Sequence, residues 1–112
     1  MKYIDIEDGL KRVGGNKKLY LRMVGMFKSS VDFEKLSEQF AARDFEGAGE
    51  SLHAIKGVAG NLSFTLLFEA SVRLMEEIRD TSEVGEESST EYMRILGETQ
   101  VAVEELLASG LT

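Results

Sequence analysis

The sequence predicts an all-α protein, an antiparallel up-down four-helix bundle with a short extra helix at the N-terminus. The chain of 112 residues has no proline and 11 glycines, so long helices can run uninterrupted and end at glycine. Apolar residues recur at steps of three and four, and no strand alternation stands out. Because the predicted helices are long and their connections short, they should pack as one domain over residues 1–112.

The first part of the chain predicts one short helix and one long helix. Residues 6–13 suit the short helix, which Gly14 and Gly15 close, and Asn16 is a good N-cap for the next helix. Apolar residues then follow at mostly helical spacing for over twenty residues: Leu19, Met23, Met26, Phe27, Phe33, Leu36 and Phe40. This pattern predicts a single uninterrupted helix.

Three more helices are predicted in the rest of the chain. Asp44 is the N-cap of the first, whose apolar stripe has steps of three and four throughout: Phe45, Ala48, Leu52, Ile55, Ala59 and Leu62. Ser63 is the plausible N-cap of the second, which places four residues on one face: Leu67, Ser71, Leu74 and Ile78. Residues 80–89 are polar and predict a loop, and the last helix should start near Thr90 and end at Gly110.

Composition narrows the function classes. The net charge is −7, from 20 acidic and 13 basic residues, and the absence of a dense basic face argues against nucleic acid or an anionic membrane as partner. No apolar run reaches the length of a membrane span, and the acidic N-terminus does not fit a signal peptide, so we expect a cytoplasmic protein or module. The absence of cysteine excludes disulfides, thiolate metal sites and cysteine nucleophiles.

The single histidine, His53, is the residue that could carry chemistry. It lies about 120° from the centre of the apolar stripe of its helix, on the flank or solvent side. A lone histidine is most often a surface residue without a role, but Gly49, Gly57 and Gly60 share its face. Each glycine costs about 1 kcal/mol in a helix. Because no bundle neighbour should need room on this face, we expect the glycines to clear a path for a large partner.

Lys56, one turn after His53, adds a cation beside the ring. A solvated surface lysine is the plainer interpretation. A nucleophilic imidazole, a clear approach and an adjacent cation together suit an arriving phosphoryl group.

The sequence around His53 resembles the signature of histidine-containing phosphotransfer (HPt) domains. Residues 52–62 read Leu-His-Ala-Ile-Lys-Gly-Val-Ala-Gly-Asn-Leu, and the family pattern is a histidine followed by Lys-Gly, small residues and Asn-Leu. A second block resembles the N-terminal segment of the family: Gly9, Leu10, Arg12, Gly14, Asn16, Leu19, Tyr20 and Phe27.

This resemblance implies a bundle whose His53 accepts and donates a phosphoryl group, carried on Nε2. The implied partners are aspartates of response-regulator receiver domains and a hybrid histidine kinase. The resemblance also implies a phosphocarrier without kinase activity of its own, and the chain has no P-loop or Gly-rich nucleotide motif. We therefore expect a monomer that needs no cofactor, with any Mg²⁺ supplied by the receiver.

The sequence departs from the family pattern at two positions after His53. Ser63 stands where the family often has glycine, and Met75 stands where many members have a Gln or Glu that can hydrogen-bond the ring. Arg79 matches a basic position of some members. Phe64, Phe68 and Met75 share one flank, which we expect to dock the receiver, with at least one of them partly exposed beside His53; plain core is the competing interpretation.

Three other interpretations remain open at this stage. Glu50 and His53 form a Glu-x-x-His motif of the di-iron type, but that site needs two such motifs with ligands directed inward. An adaptor bundle without phosphotransfer would leave the glycines unexplained. The chain could also be the phosphotransfer domain of a chemotaxis-type histidine kinase, which would have the same fold and chemistry.

Overall fold

The computed structural model describes residues 1–111, which fold into helices and contain no strand. The helices are α1 (Ile6–Arg12), α2 (Lys17–Ser30), α3 (Phe33–Ala41), α4 (Phe45–Leu62), α5 (Thr65–Thr81) and α6 (Glu86–Ser109). The predicted all-α class is confirmed. None of the helices in residues 1–111 combines the length and apolar character that crossing a membrane requires.

The bundle has four positions, one of which is filled by two helices. α4, α5 and α6 follow one another, and α4 packs against α5 and α5 against α6. Both α2 and α3 pack against α4 and α6, so together they complete the bundle. The short α1 packs against α2 and α4 at one end, as the extra N-terminal helix of the prediction should. The molecule measures 44 × 22 × 20 Å.

The predicted long helix is interrupted between α2 and α3, so that prediction was wrong. Val31 is extended, with φ −108° and ψ 118°, and the Asp32 side chain accepts a hydrogen bond from the Lys35 N–H at 3.0 Å. Aspartate is a favoured N-cap, and it starts a new helix here. The step of six residues from Phe27 to Phe33 already departs from helical spacing.

The connection between α4 and α5 also differs from the prediction, because Ser63 ends α4 rather than starting α5. Ser63 adopts the left-handed conformation, with φ 62° and ψ 39°, which is the C-terminal geometry that glycine usually supplies. Its hydroxyl donates to Asp8 Oδ2 at 2.6 Å. Phe64 precedes α5 without a side-chain cap. Two residues therefore connect α4 and α5.

The last loop is shorter than predicted. α5 continues to Thr81 and α6 already begins at Glu86, with Glu86 and Glu87 in its first turn. Carboxylates stabilise the N-terminus of a helix, which favours this early start over Thr90. Gly110, with φ 68°, ends α6 as predicted.

The N-terminal segment and the first part of α2 pack onto the end of α4. Ile4 is fully buried, and the Asp5 N–H donates to the Ser63 carbonyl at 2.9 Å. The buried Tyr20 hydroxyl donates to the Leu62 carbonyl at 2.7 Å. These bonds satisfy carbonyls that the end of a helix leaves without partners, so they hold α1 in a fixed place beside α4.

Candidate functional site

His53 lies in the middle of α4 and its side chain is exposed. The predicted stripe faces the core. Phe45 is half-buried, and all the other members of the stripe are buried: Ala48, Leu52, Ile55, Ala59 and Leu62. Because these residues fix the rotation of α4 in the bundle, they direct His53 away from the core. The predicted outward position of the histidine is therefore confirmed.

The imidazole ring has no hydrogen bond or ion pair within residues 1–111. Met75, the residue that stands where the family pattern has an amide or a carboxylate, is half-buried and offers at best a weak acceptor. Both ring nitrogens can therefore reach a partner.

A groove of about 530 Å³ adjoins the ring, and we call it the His53 groove. α4 contributes Lys56, Gly57 and Gly60 to its lining, and α5 contributes Phe68. Its other end is formed by Asp8 and Arg12 of α1 and by Ser63. The groove is open to solvent, which suits contact with a protein surface better than enclosure of a small molecule.

Two contacts define the register between α4 and the antiparallel α5. A Cβ atom at Gly60 would lie 3.3 Å from Cδ2 of Phe68, and one at Gly49 would lie 4.0 Å from Cδ1 of Ile78. Interpolation between these contacts places Met75 at the level of His53. Arg79 lies at the level of Gly49, about one turn away from the histidine.

The three glycines on the His53 face have different surroundings. At Gly57 an added Cβ would meet nothing within 4 Å, so the helix surface is open there as predicted. Gly60 packs under the Phe68 ring, so the expectation that no bundle neighbour needs room on this face was wrong at that position. Gly49 would make only ordinary contact with Ile78. The packing of the bundle therefore gives no reason for a glycine at position 57.

The residues of the predicted docking flank differ in how deeply they are buried. Phe64 is fully buried and its ring packs edge-to-face on Phe27, with centroids 4.9 Å apart, so it belongs to the core and the docking prediction for it was wrong. Phe68 is half-buried and lines the His53 groove. Met75 is half-buried and Arg79 is exposed, and neither lines the groove. The Arg79 Nε donates to Asp80 at 3.0 Å.

α1 contributes to this site, which was not predicted from the sequence. Asp8 Oδ2 accepts hydrogen bonds from the Ser63 hydroxyl at 2.6 Å and from the Arg12 Nε at 3.1 Å. The bonds from Ser63 and then Arg12 lower the pKa of the Asp8 carboxyl, so it is ionised at neutral pH. The i, i+4 spacing of Asp8 and Arg12 signals their pairing, but nothing in the sequence locates the pair near His53.

The di-iron interpretation finds no support in the geometry. Glu50 and His53 are both exposed on α4, whereas that kind of site directs its ligands into the bundle. Within the part of the chain that the structure describes, no three potential ligands among His, Cys, Asp and Glu come together.

The sequence matches a known protein family. The family model described as Hpt domain matches residues 22–109. Comparisons with curated proteins and with solved structures gave no significant match. The matched segment contains His53 and α3 to α6, while α1 lies before it.

Proposed function

The chain belongs to the Hpt domain family, and from that membership we propose that His53 carries a phosphoryl group between receiver-domain aspartates in a two-component phosphorelay. A histidine phosphotransfer role follows from the family.

The exposed position of His53, without hydrogen-bonded neighbours in the described part of the chain, supports its assignment as the residue that carries the phosphoryl group. It is the only histidine of the chain, it is exposed at the middle of α4, and its ring has no bonded neighbour in residues 1–111. A nucleophile that must meet an aspartate on another protein needs such an approach, because the reacting atoms have to come in line at about 3–3.5 Å.

In the proposed transfer step, Nε2 of the neutral imidazole attacks the phosphorus atom of a phosphorylated receiver aspartate. A P–N bond forms as the P–O bond to the aspartate breaks. The aspartate leaves as a carboxylate, and the proton on Nδ1 stays on the ring. The product ring carries a positive charge, which makes the phosphoryl group ready for transfer to the next aspartate by the reverse step.

Lys56 has a supporting role in this proposal. It follows His53 by about one turn of α4, it is half-buried, and it lines the His53 groove. Its ammonium group can offset the negative charge of the phosphoryl oxygens during transfer. The receiver supplies any Mg²⁺ from its own acidic pocket, so the proposal requires no cofactor from this chain.

The proposed partners are receiver domains of response regulators and of a hybrid histidine kinase. We propose that the protein acts as a monomer in the cytoplasm, and that the exposed face of α4 that carries His53 engages one receiver at a time.

Labelling with a small phosphodonor and with a phosphorylated receiver tests this function. The wild-type protein should gain the mass of one phosphoryl group in an acid-labile, alkali-stable linkage, and H53Q should gain none. H53Q should keep the wild-type melting temperature, because His53 lies off the core stripe. Persistent labelling of the folded H53Q variant would overturn the assignment.

A further inference from the structure

The end of the His53 groove that α1 forms has no assigned role. Asp8 and Arg12 line the groove together with His53 and Lys56. Both residues precede position 22, where the family match begins. The N-terminal resemblance to the family includes Arg12 but not Asp8, and it implies no role for either residue in the groove.

Arg12 differs from an ordinary surface arginine in how it is held. Its Nε donates to Asp8 Oδ2, and the same oxygen accepts from the Ser63 hydroxyl at the end of α4. The guanidinium group is thus connected through Asp8 to the helix that carries His53. No acceptor among residues 1–111 engages either Nη atom, and the side chain is 54% exposed.

The His53 groove differs in charge from the chain as a whole. The chain carries a net charge of −7, so its net electrostatic field disfavours the approach of acidic proteins. The groove holds two cations, Lys56 and Arg12, against the single carboxylate of Asp8. A guanidinium group is always charged and its paired N–H donors match the two oxygens of a carboxylate.

We infer that Arg12 is a specificity-determining residue for the receiver partner, whose Nη atoms bind a carboxylate on the rim of the docked receiver. α1 then forms one side of the docking surface, with Phe68 and the open surface at Gly57 forming the rest. This inference rests on the proposed function.

Receiver binding by matched variants tests the inference. R12Q is compared with K11Q, which removes the same charge from the neighbouring exposed residue of α1 that does not line the groove. The probe is the receiver domain of the source genome that the wild-type protein binds most tightly. We expect R12Q to raise Kd by about 3- to 10-fold at low salt and by less at high salt. K11Q should stay within about twofold of wild type at either salt concentration, since Lys11 lies off the proposed contact.

Further measurements distinguish the possible failures. R12K, which keeps the charge and loses the fork, should recover only part of the affinity. Labelling of His53 by phosphoramidate should proceed at the wild-type rate in R12Q, since Arg12 contacts the partner and not the phosphoryl group. Slower labelling would overturn the inference in favour of a role at the phosphoryl group.

Equal Kd values for R12Q and K11Q would overturn the inference alone and leave the proposed function standing. If no receiver bound the wild-type protein, both would fall. Melting curves of all variants provide the folding control.

Discussion

Substitution of Gly57 should move stability and phosphotransfer in opposite directions. A Cβ at this position meets nothing within 4 Å, so G57A adds no clash. Replacing an exposed helical glycine by alanine stabilises by up to about 1 kcal/mol, because the unfolded chain loses conformational freedom. For a domain of this size, 1 kcal/mol corresponds to roughly 4 °C in Tm. We expect G57A to raise Tm by about 2–4 °C.

A larger side chain at the same position should obstruct the receiver. G57Q retains a favourable helix residue, so the fold should persist. Its side chain would occupy the open surface of the His53 groove, and a displacement of the reacting atoms by about 1 Å can cost roughly 100-fold in rate. We expect receiver-dependent transfer to slow by at least about tenfold, while labelling by phosphoramidate stays near the wild-type rate.

Two other glycines provide matched controls for these measurements. Gly25 in α2 also has nothing within 4 Å of an added Cβ, and it does not line the groove. G25A and G25Q should therefore reproduce the stability changes and leave transfer unaltered. G60A should stabilise less than G57A or destabilise, because the Phe68 ring lies at 3.3 Å. The reasoning is refuted if G57A lowers Tm, or if G57Q transfers as fast as G25Q.

Two more predictions follow from burial. In urea titrations, F64A should lower the free energy of unfolding by about 3–5 kcal/mol. F68A should lower it by less, and it should also slow phosphotransfer. Equal losses of stability in the two variants, or an unchanged transfer rate in F68A, would contradict this prediction. Burial raises the pKa of Tyr20 and of Tyr92 to about 12, with Asp5 and Asp8 adding to the effect at Tyr20. Because the folded state holds these protons, the stability that the two phenols add is complete below about pH 10 and is lost as pH rises through 12. Tyrosinate absorbance and circular dichroism should show Tyr20 and Tyr92 titrating together with unfolding, so titration of both near pH 10 with intact helices would contradict this expectation.

The sequence was sufficient for the helices whose apolar spacing is regular, and insufficient where a local interaction competes with that spacing. The stripe of α4 predicts both the helix and the outward side of His53. The interruption at Asp32 was missed because the periodicity resumes at Phe33, although the six-residue step from Phe27 and the capping residue Asp32 both signal a change of helix. Ser63 was misassigned because serine favours helix starts, whereas here a bond to Asp8 accompanies a conformation that glycine usually adopts.

The site was predictable to the level of a helix face but not to the level of neighbouring side chains. Gly57 and Gly60 look alike on a helical wheel, yet one is open and the other holds the Phe68 ring. Phe64 and Phe68 occupy one flank of α5, yet the two-residue connection draws Phe64 into the core against Phe27. The arrival of Arg12 at the groove depends on contacts over more than fifty positions of sequence between Asp8 and Ser63.

The bonds between the N-terminal segment and the end of α4 determine where this domain can be cut. The family match begins at residue 22, but residues packed into the core begin at the buried Ile4. A fragment starting at residue 22 would lose the Tyr20 hydroxyl and the Asp5 N–H, and with them the donors to the carbonyls of Leu62 and Ser63. The fragment would also lose the buried side chains of Ile4 and Tyr20, and the burial of an isoleucine alone is worth about 1.5–3 kcal/mol, a large share of the stability of a small domain. Grafting this phosphotransfer unit into another protein therefore requires a junction upstream of Ile4.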